Sequence, residues 1–389
     1  MKAFWIGNGK TVLPDEICDN GSVLVHDDKI VAVNEPCPDG VEVVDAAGGY
    51  ILPGFIDLHV HGGGGADFMD ADPEGLRTIA RTHAKFGTTG LCPTSMTSTN
   101  DVLERAIKSY LAVDEKVSVG AELLGIHLEG PYFSTSNKGA QPVGEQRIPT
   151  REEMEHIIAL GEGKIVRWDE APELPNTDVF AAVTREHGIM ASIAHTDGIA
   201  DDANRAFEMG FSHVTHFYSA TTTGRKINGW CYSGVNEATF LNDDVSVEII
   251  ADGMHIPREH MLVPYRIKGA DMMALITDAM RAAGTDDEYS VLGAKDTGVP
   301  VIIKDGVAQL LDLSFYAGSV GTMDRALRVA HVRYGISLVD AVKMMSLTPA
   351  RLIGRDGDKG SLTVGKDADV VIMDPEFTIK DVFVRGTKV

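Results

Sequence analysis

Between residues 50 and 277 the chain repeats one pattern, a short apolar run of strand type followed by a stretch with helical amphipathicity. The apolar runs fall at 50–60, 88–96, 122–128, 164–168, 190–194, 213–218, 245–251 and 272–277, which makes eight candidate strands. Amphipathic stretches separate most of them. The clearest opens at Asp72-Pro73, an N-cap followed by proline at the first helical position, and closes at Gly87. Another opens at Thr150 with Glu153 in the capping-box position. Eight strand–helix units in roughly 300 residues favour a (β/α)8 TIM-like barrel over an open doubly wound sheet. No G-x-G-x-x-G motif follows the first run, and Gly62-Gly63-Gly64-Gly65 alone is a weak phosphate signal.

The ends of the chain read differently. Residues 21–33 hold two β-rich runs around Asp27-Asp28-Lys29, a hairpin pattern. The tail, 359–373 and then 379–385, again shows short apolar strands with turns. The expectation is a small discontinuous β-sandwich domain from residues 1–52 and 352–389, around a barrel of residues 53–351. A length of 389 residues suits one large domain with a satellite.

Composition narrows the partners. With 35 basic against 57 acidic residues the formal charge is −22, which argues against nucleic acid or an anionic membrane as partner. A small anionic substrate stays open, because a few local Arg, His and backbone N–H groups suffice for one phosphate. Cys18, Cys37, Cys92 and Cys231 are scattered with no CxxC pair, which fits a reducing compartment. With neither a signal-type leader nor an apolar stretch near ~18 residues, the expected location is cytoplasmic.

The chemistry gathers at strand ends. His59 and His61 end the first run, His127 and Glu129 the third, His195 the fifth, His216 the sixth and Asp278 the eighth. A barrel brings those ends to one mouth, where barrel enzymes hold their active sites. His59-Val60-His61 sets two imidazoles on one strand face by its period of two, after the buried-type run Ile51–Ile56, so an exposed polar face does not explain it. Glu129, before Gly130-Pro131, reads better as a carboxylate ligand than as a salt-bridged loop acid; His127 is either a ligand or a partner behind one. His195 and His216 singly read as core histidines, but their shared position makes them ligand candidates. Asp278 ends a buried run with no partner in sight, and burying it alone would be costly; a general-base role beside a metal resolves that. Cys92, His83, His213, His331 and Met96 read as core, surface or helix residues. Asp201-Asp202 and Asp286-Asp287 read as helix-start or solvated charges.

At this point the residues resemble a family. Pro53-Gly54-Phe55-Ile56-Asp57-Leu58-His59-Val60-His61-Gly62 resembles the first-strand signature of the amidohydrolase superfamily. His127-Leu128-Glu129-Gly130-Pro131-Tyr132, Lys138-Gly139-Ala140-Gln141-Pro142, Ala194-His195-Thr196-Asp197, Thr215-His216-Phe217-Tyr218, Ala251-Asp252-Gly253-Met254-His255, Thr277-Asp278-Ala279 and Ala317-Gly318-Ser319 resemble, in that order, the N-acetylglucosamine-6-phosphate deacetylases. The resemblance implies that Glu129, His195 and His216 hold a divalent metal, zinc before iron, manganese or cobalt. It implies that Asp278 takes a proton from water and returns it to the leaving amine. It further implies substrate contacts from Ala140 and Gln141 and sugar contacts from His255 and from Tyr316, Ala317 and Gly318. Phosphate contacts are expected from Ser219, Ala220 and Arg225, the last from its own chain or from the neighbouring subunit of a homodimer.

Three departures stand out. Some relatives carry Gln-x-Asn where this chain has His59-x-His61 and bind one metal; here the histidine pair, bridged through Glu129, implies two. Those relatives use a histidine on the acetyl carbonyl where this chain, after Ala140, has Gln141, so the second metal would take over that work. The Tyr-Asn-Ala-Met usual after the sixth-strand histidine is replaced by Tyr218-Ser219-Ala220-Thr221, and Gly229-Trp230-Cys231-Tyr232 is unfamiliar. Rival readings keep the fold and change the substrate to a cyclic amide, an N-acyl amino acid or a deaminase substrate, or drop catalysis for metal or sugar binding. Many such enzymes bridge their metals with a carboxylated lysine on the fourth strand. Lys164-Ile165-Val166-Arg167-Trp168-Asp169 has no lysine at its end, and retention of Asp278 argues for catalysis.

Overall fold

The computed structural model describes residues 3–117 and 119–389. All eight expected runs become barrel strands: Phe55–Val60, Thr88–Pro93, Ile126–Tyr132 (with the short Glu122–Leu123 ahead of it), Ile165–Glu170, Met190–Ile193, His213–Val214, Ser246–Ile250 and Met273–Ile276. They pair in parallel and in order. Single parallel bridges, Thr94 with His127 and Val60 with Ala279, close the ring. Strands covered on both faces must be apolar nearly throughout, and the first, second, third, seventh and eighth are buried at every position.

The first apolar run divides in two. Tyr50–Pro53 pairs with Val370–Met373 near the C-terminus, and Phe55–Val60 enters the barrel. The glycine between them explains the change of partner: a Cβ at Gly54 would lie 2.1 Å from Thr89 Oγ1, so only glycine lets the chain pass the second strand. Strands from both termini join one mixed eight-stranded sheet, with a core of its own from Phe4, Ile6, Val23, Val25, Ile372 and Phe383 among others. Lys359 ties the tail to the barrel. Its buried ammonium lies 2.9 Å from Asp367 and from Asp369 and 3.1 Å from Glu122, at the start of the third strand.

The helix signals hold. Pro73–Ala84 starts from Asp72, whose side chain accepts from Glu74 N–H, and Arg151–Leu160 starts from Thr150, which accepts from Glu153 N–H. Two insertions were not expected. A hairpin, Arg225–Ile227 with Trp230–Tyr232, follows the sixth strand. A three-stranded antiparallel sheet, Tyr289–Leu292, Val299–Lys304 and Val307–Leu310, follows the eighth. Among the described residues no helix is long and apolar enough to cross a membrane.

Candidate active site

The barrel mouth gathers the strand-end residues into one nest. Glu129 Oε1 lies 3.1 Å from His195 Nε2 and 2.9 Å from His216 Nε2, and Oε2 lies 3.4 Å from His61 Nε2. His59 Nε2 is 3.3 Å from His61 Nε2 and 3.7 Å from Glu129. Asp278 Oδ1 completes the group, 3.2 Å from His61 and 3.4 Å from His59.

What sets the chemistry is the other nitrogen of each ring. His59 Nδ1 donates to Glu248 at 3.0 Å, His61 Nδ1 to the Thr94 carbonyl at 3.2 Å, His195 Nδ1 to that of Asn137 at 3.3 Å and His216 Nδ1 to that of Ser219 at 2.9 Å. A ring whose Nδ1 carries the proton presents a lone pair at Nε2. Four such lone pairs converge on two carboxylates, and among the described residues no Lys or Arg faces them at these distances. That arrangement repels itself unless cations sit within it, and a carboxylate with imidazoles is the donor set of a borderline divalent metal. Two sets fall within 4.8 Å, His59–His61–Glu129 and Glu129–His195–His216, sharing Glu129. The residues fit the group the sequence implies.

Without a metal, protons must do that balancing. Burial pulls His216 and His61 down, but the hydrogen bond and charge of Glu129 on the first, and of Asp278 with Glu129 on the second, outweigh it and hold both at about 9. Burial would raise Glu129; His195, His216, His59 and His61 hold it well below the usual range. Asp278 is likewise raised by burial but lowered overall by His59 and His61.

Backbone geometry aims these groups. His195 (φ 43°), His216 (φ 28°) and Asp278 (φ 51°) are left-handed, which costs a non-glycine residue on the order of 1–3 kcal/mol. Backbone bonds hold two of them: Asp278 N–H donates across to His59 O at 3.1 Å, and Ser219 N–H closes a local turn onto His216 O at 2.8 Å.

Beneath the nest lies a second polar layer that the sequence reading missed. Arg167 Nη2 donates to Glu248 Oε1 at 2.7 Å and to Thr215 Oγ1 at 2.6 Å, while Nε reaches Asp169 at 3.3 Å. His213 meets Glu248 at 3.2 Å. His127, left open between ligand and supporting roles, turns its Nε2 to Asp169 at 2.8 Å and lies outside both ligand sets. Burial and the Arg167 charge lower it to about 4, so it is neutral.

A cavity of about 230 Å³ opens above the nest. Of the expected substrate contacts, Ala140, Gln141, Ser219, Ala220, His255, Tyr316 and Gly318 line it. His255 is fixed by Asp252, 2.8 Å from its Nδ1, and its ring packs 4.6 Å from that of Tyr316. Gln141 Nε2 donates to Glu129 Oε2 at 2.6 Å and its Oε1 accepts from Thr97 N–H at 2.9 Å, so it braces the shared carboxylate. Ala317 is fully buried behind the wall. Arg225 is not among the lining residues: it sits on the hairpin after the sixth strand, its guanidinium paired with the Asp197 carboxylate and carbonyl. Met96, Asn137, Tyr218, Leu292 and Phe315 line the cavity as well and were not anticipated. Leu292 ends the first strand of the unexpected three-stranded sheet, the others lie in loops, and Met96 read as a core, surface or helix residue.

Comparison with known proteins accords with this geometry. Residues 50–389 match the family model described as Amidohydrolase family. A protein of Lysinibacillus sphaericus named N-acetylglucosamine-6-phosphate deacetylase is 34% identical over 94% of this chain and 92% of its own. One of Escherichia coli O157:H7, named N-acetylgalactosamine-6-phosphate deacetylase, is 31% identical over 92% of each chain. Among solved structures, a point mutant of the N-acetyl-D-glucosamine-6-phosphate deacetylase of Mycobacterium smegmatis, in complex with N-acetyl-D-glucosamine-6-phosphate, superposes with a TM-score of 0.90. It is 26% identical and covers 100% of this chain and 99% of that one.

Proposed function

The chain belongs to the amidohydrolase family, and we propose that it hydrolyses the acetamide of N-acetylglucosamine 6-phosphate, giving glucosamine 6-phosphate and acetate. The observation that carries this reading is the nest of Nδ1-anchored imidazoles around Glu129 with Asp278 at its edge. Glu129, His195 and His216 would hold one divalent metal and His59, His61 and Glu129 a second, zinc being the best match to the donors. When bound, such ions supply Lewis acidity toward water and the acyl oxygen.

The chain's own residues do the rest. Asp278 is ionised at neutral pH and accepts the proton of the attacking water. It then returns that proton to the sugar nitrogen, because an amide anion is too basic to leave unprotonated. Gln141 keeps Glu129 from rotating. His255, with Nδ1 committed to Asp252, offers Nε2 to a sugar hydroxyl, and Tyr316 and Gly318 bound the ring's position. Ser219 and Ala220, which line the cavity, would take the 6-phosphate. Arg225 does not line the catalytic cavity of its own chain, so its phosphate role is assigned across a homodimer; its hairpin also carries Trp230, 74% exposed.

The test is acetate release from N-acetylglucosamine, N-acetylgalactosamine and N-acetylmannosamine, each with and without the 6-phosphate. Turnover of the phosphorylated glucosamine derivative first among them is expected. Arg225→Ala should raise KM for the phosphate ester while leaving the unphosphorylated sugar nearly unchanged. Acetate from none of the six overturns the reading.

A further inference from the structure

A second cavity, about 380 Å³, adjoins the catalytic one. Met96 and Leu292 line both and form the partition between them. Its remaining wall presents more apolar than polar surface, with Met69, Val102, Pro142, Val143 and Ala294 lining it, while Glu145 and the hydroxyls of Thr97, Ser98, Thr99 and Thr297 make up its polar part. The wall is anchored: Gly293 N–H donates to Asp67 at 3.1 Å, and its carbonyl accepts from Arg281 at 2.8 Å. A Cβ at Gly293, whose φ is 85°, would lie 3.1 Å from Met96 Sδ, so glycine there keeps room for the thioether. Methionine is unbranched and repacks at little cost, which makes it a movable partition.

The barrel gives the annex a direction. Met96 follows the second strand, and Ser219 and Ala220 follow the sixth. In an eight-stranded ring those two strands face each other. On the proposed function, on which this inference rests, the phosphate end lies at the sixth-strand loop and the amide carbon over Asp278. The acyl substituent then leaves the amide toward Met96 and Leu292.

We propose that the annex is an acyl-chain subsite, and that the enzyme accepts N-acyl amino-sugar phosphates whose straight saturated acyl groups are longer than acetyl. The chemistry is unchanged. The C–N bond breaks, a C–O bond forms from water, and one water proton goes to the amine nitrogen; the other leaves with the carboxylic acid and is then lost, protonating the amine to ammonium. The products are a short-chain fatty carboxylate and the amino-sugar phosphate. The added methylenes are buried against apolar side chains, which is favourable at every step where the chain stays in the annex.

The experiment is a series of N-acetyl-, N-propionyl-, N-butyryl- and N-hexanoyl-glucosamine 6-phosphate, read as kcat/KM for the metal-loaded wild type and for Ala294→Phe and Val102→Phe, two positions that line the annex and not the catalytic cavity. Wild type should keep N-butyryl within about tenfold of N-acetyl, the scale of a tolerated methylene difference. At least one filling variant that retains wild-type N-acetyl turnover should lose N-butyryl more than tenfold. A wild-type loss above tenfold on lengthening, or filling variants that lower all chain lengths alike, overturns the subsite while leaving deacetylation standing. No turnover of N-acetyl by the wild type overturns the proposed function and this inference together.

Discussion

Glu129 and Glu170 make a natural experiment. Both are buried, both belong to the C-terminal parts of neighbouring barrel strands, and burial pushes both carboxyls up. They end in opposite states. Glu129 faces four imidazoles and is held well below the usual range. Glu170 has one hydroxyl donor, Thr177 at 3.2 Å, and feels the like charges of Glu173 and Asp178; its Oε2 has no partner among the described residues, and it is held well above. Burial is thus common to both, and the partner set decides the charge. An ionised buried carboxylate ringed by lone pairs is a cation site, whereas a protonated one is packing.

That contrast can be broken in three places. The largest effect is expected at the edge of the ionised site. Asp278→Asn should keep metal and substrate binding but lower kcat about 100-fold or more, the scale of removing a general base. Steady-state kinetics with elemental analysis checks it, and near wild-type turnover would remove Asp278 from the mechanism.

A smaller effect is expected one layer down. Glu248→Gln leaves an acceptor for His59 Nδ1 but removes the charge, and should weaken binding of the second metal equivalent about 10–100-fold. Calorimetric titration should show the first equivalent unchanged; equal weakening of both would mean that the layer acts through folding alone.

The smallest effect belongs to Glu170. Its folded pKa is raised, so the unfolded chain loses the proton first, and wild-type stability falls as pH climbs from the ordinary glutamate range toward the folded value. Glu170→Gln removes that dependence. Its thermal midpoint should exceed wild type by about 2 °C at pH 8, the scale of a ~1 kcal/mol change in a large domain, with a smaller gap at pH 5 and no change in turnover. A gap that narrows with rising pH would contradict the assignment.

The sequence made the upper layer legible because its residues end apolar runs, and a barrel converts that linear position into proximity. His59, His61, Glu129, His195, His216 and Asp278 all lie at such ends, hundreds of residues apart in some cases, and meet within hydrogen-bonding range. The same reasoning does not separate Glu129 from Glu170, because the histidines that decide for Glu129 come from other strands, while Glu170 has only the Thr177 hydroxyl and the like charges of Glu173 and Asp178 just after its own strand. Nor does it find Arg167, Glu248 and His213, which sit inside apolar runs and are paired only through long-range contacts. Arg225 is a third kind of case: its motif position suggests a phosphate contact, and within one chain it pairs with Asp197, a contact no strand-end pattern announces. Leu292 had no signal at all, since its place depends on an insertion after the eighth strand, and Met96, just past the second strand, read as a core, surface or helix residue.

The central claim is that the nest around Glu129 is a cation site required for amide hydrolysis. Chelator-stripped protein, titrated with Zn2+ while acetate release from N-acetylglucosamine 6-phosphate is followed, tests it directly. The account predicts no turnover in stripped protein and activity that rises with added metal and saturates by two equivalents per chain. Full turnover in protein shown by elemental analysis to be metal-free would contradict it.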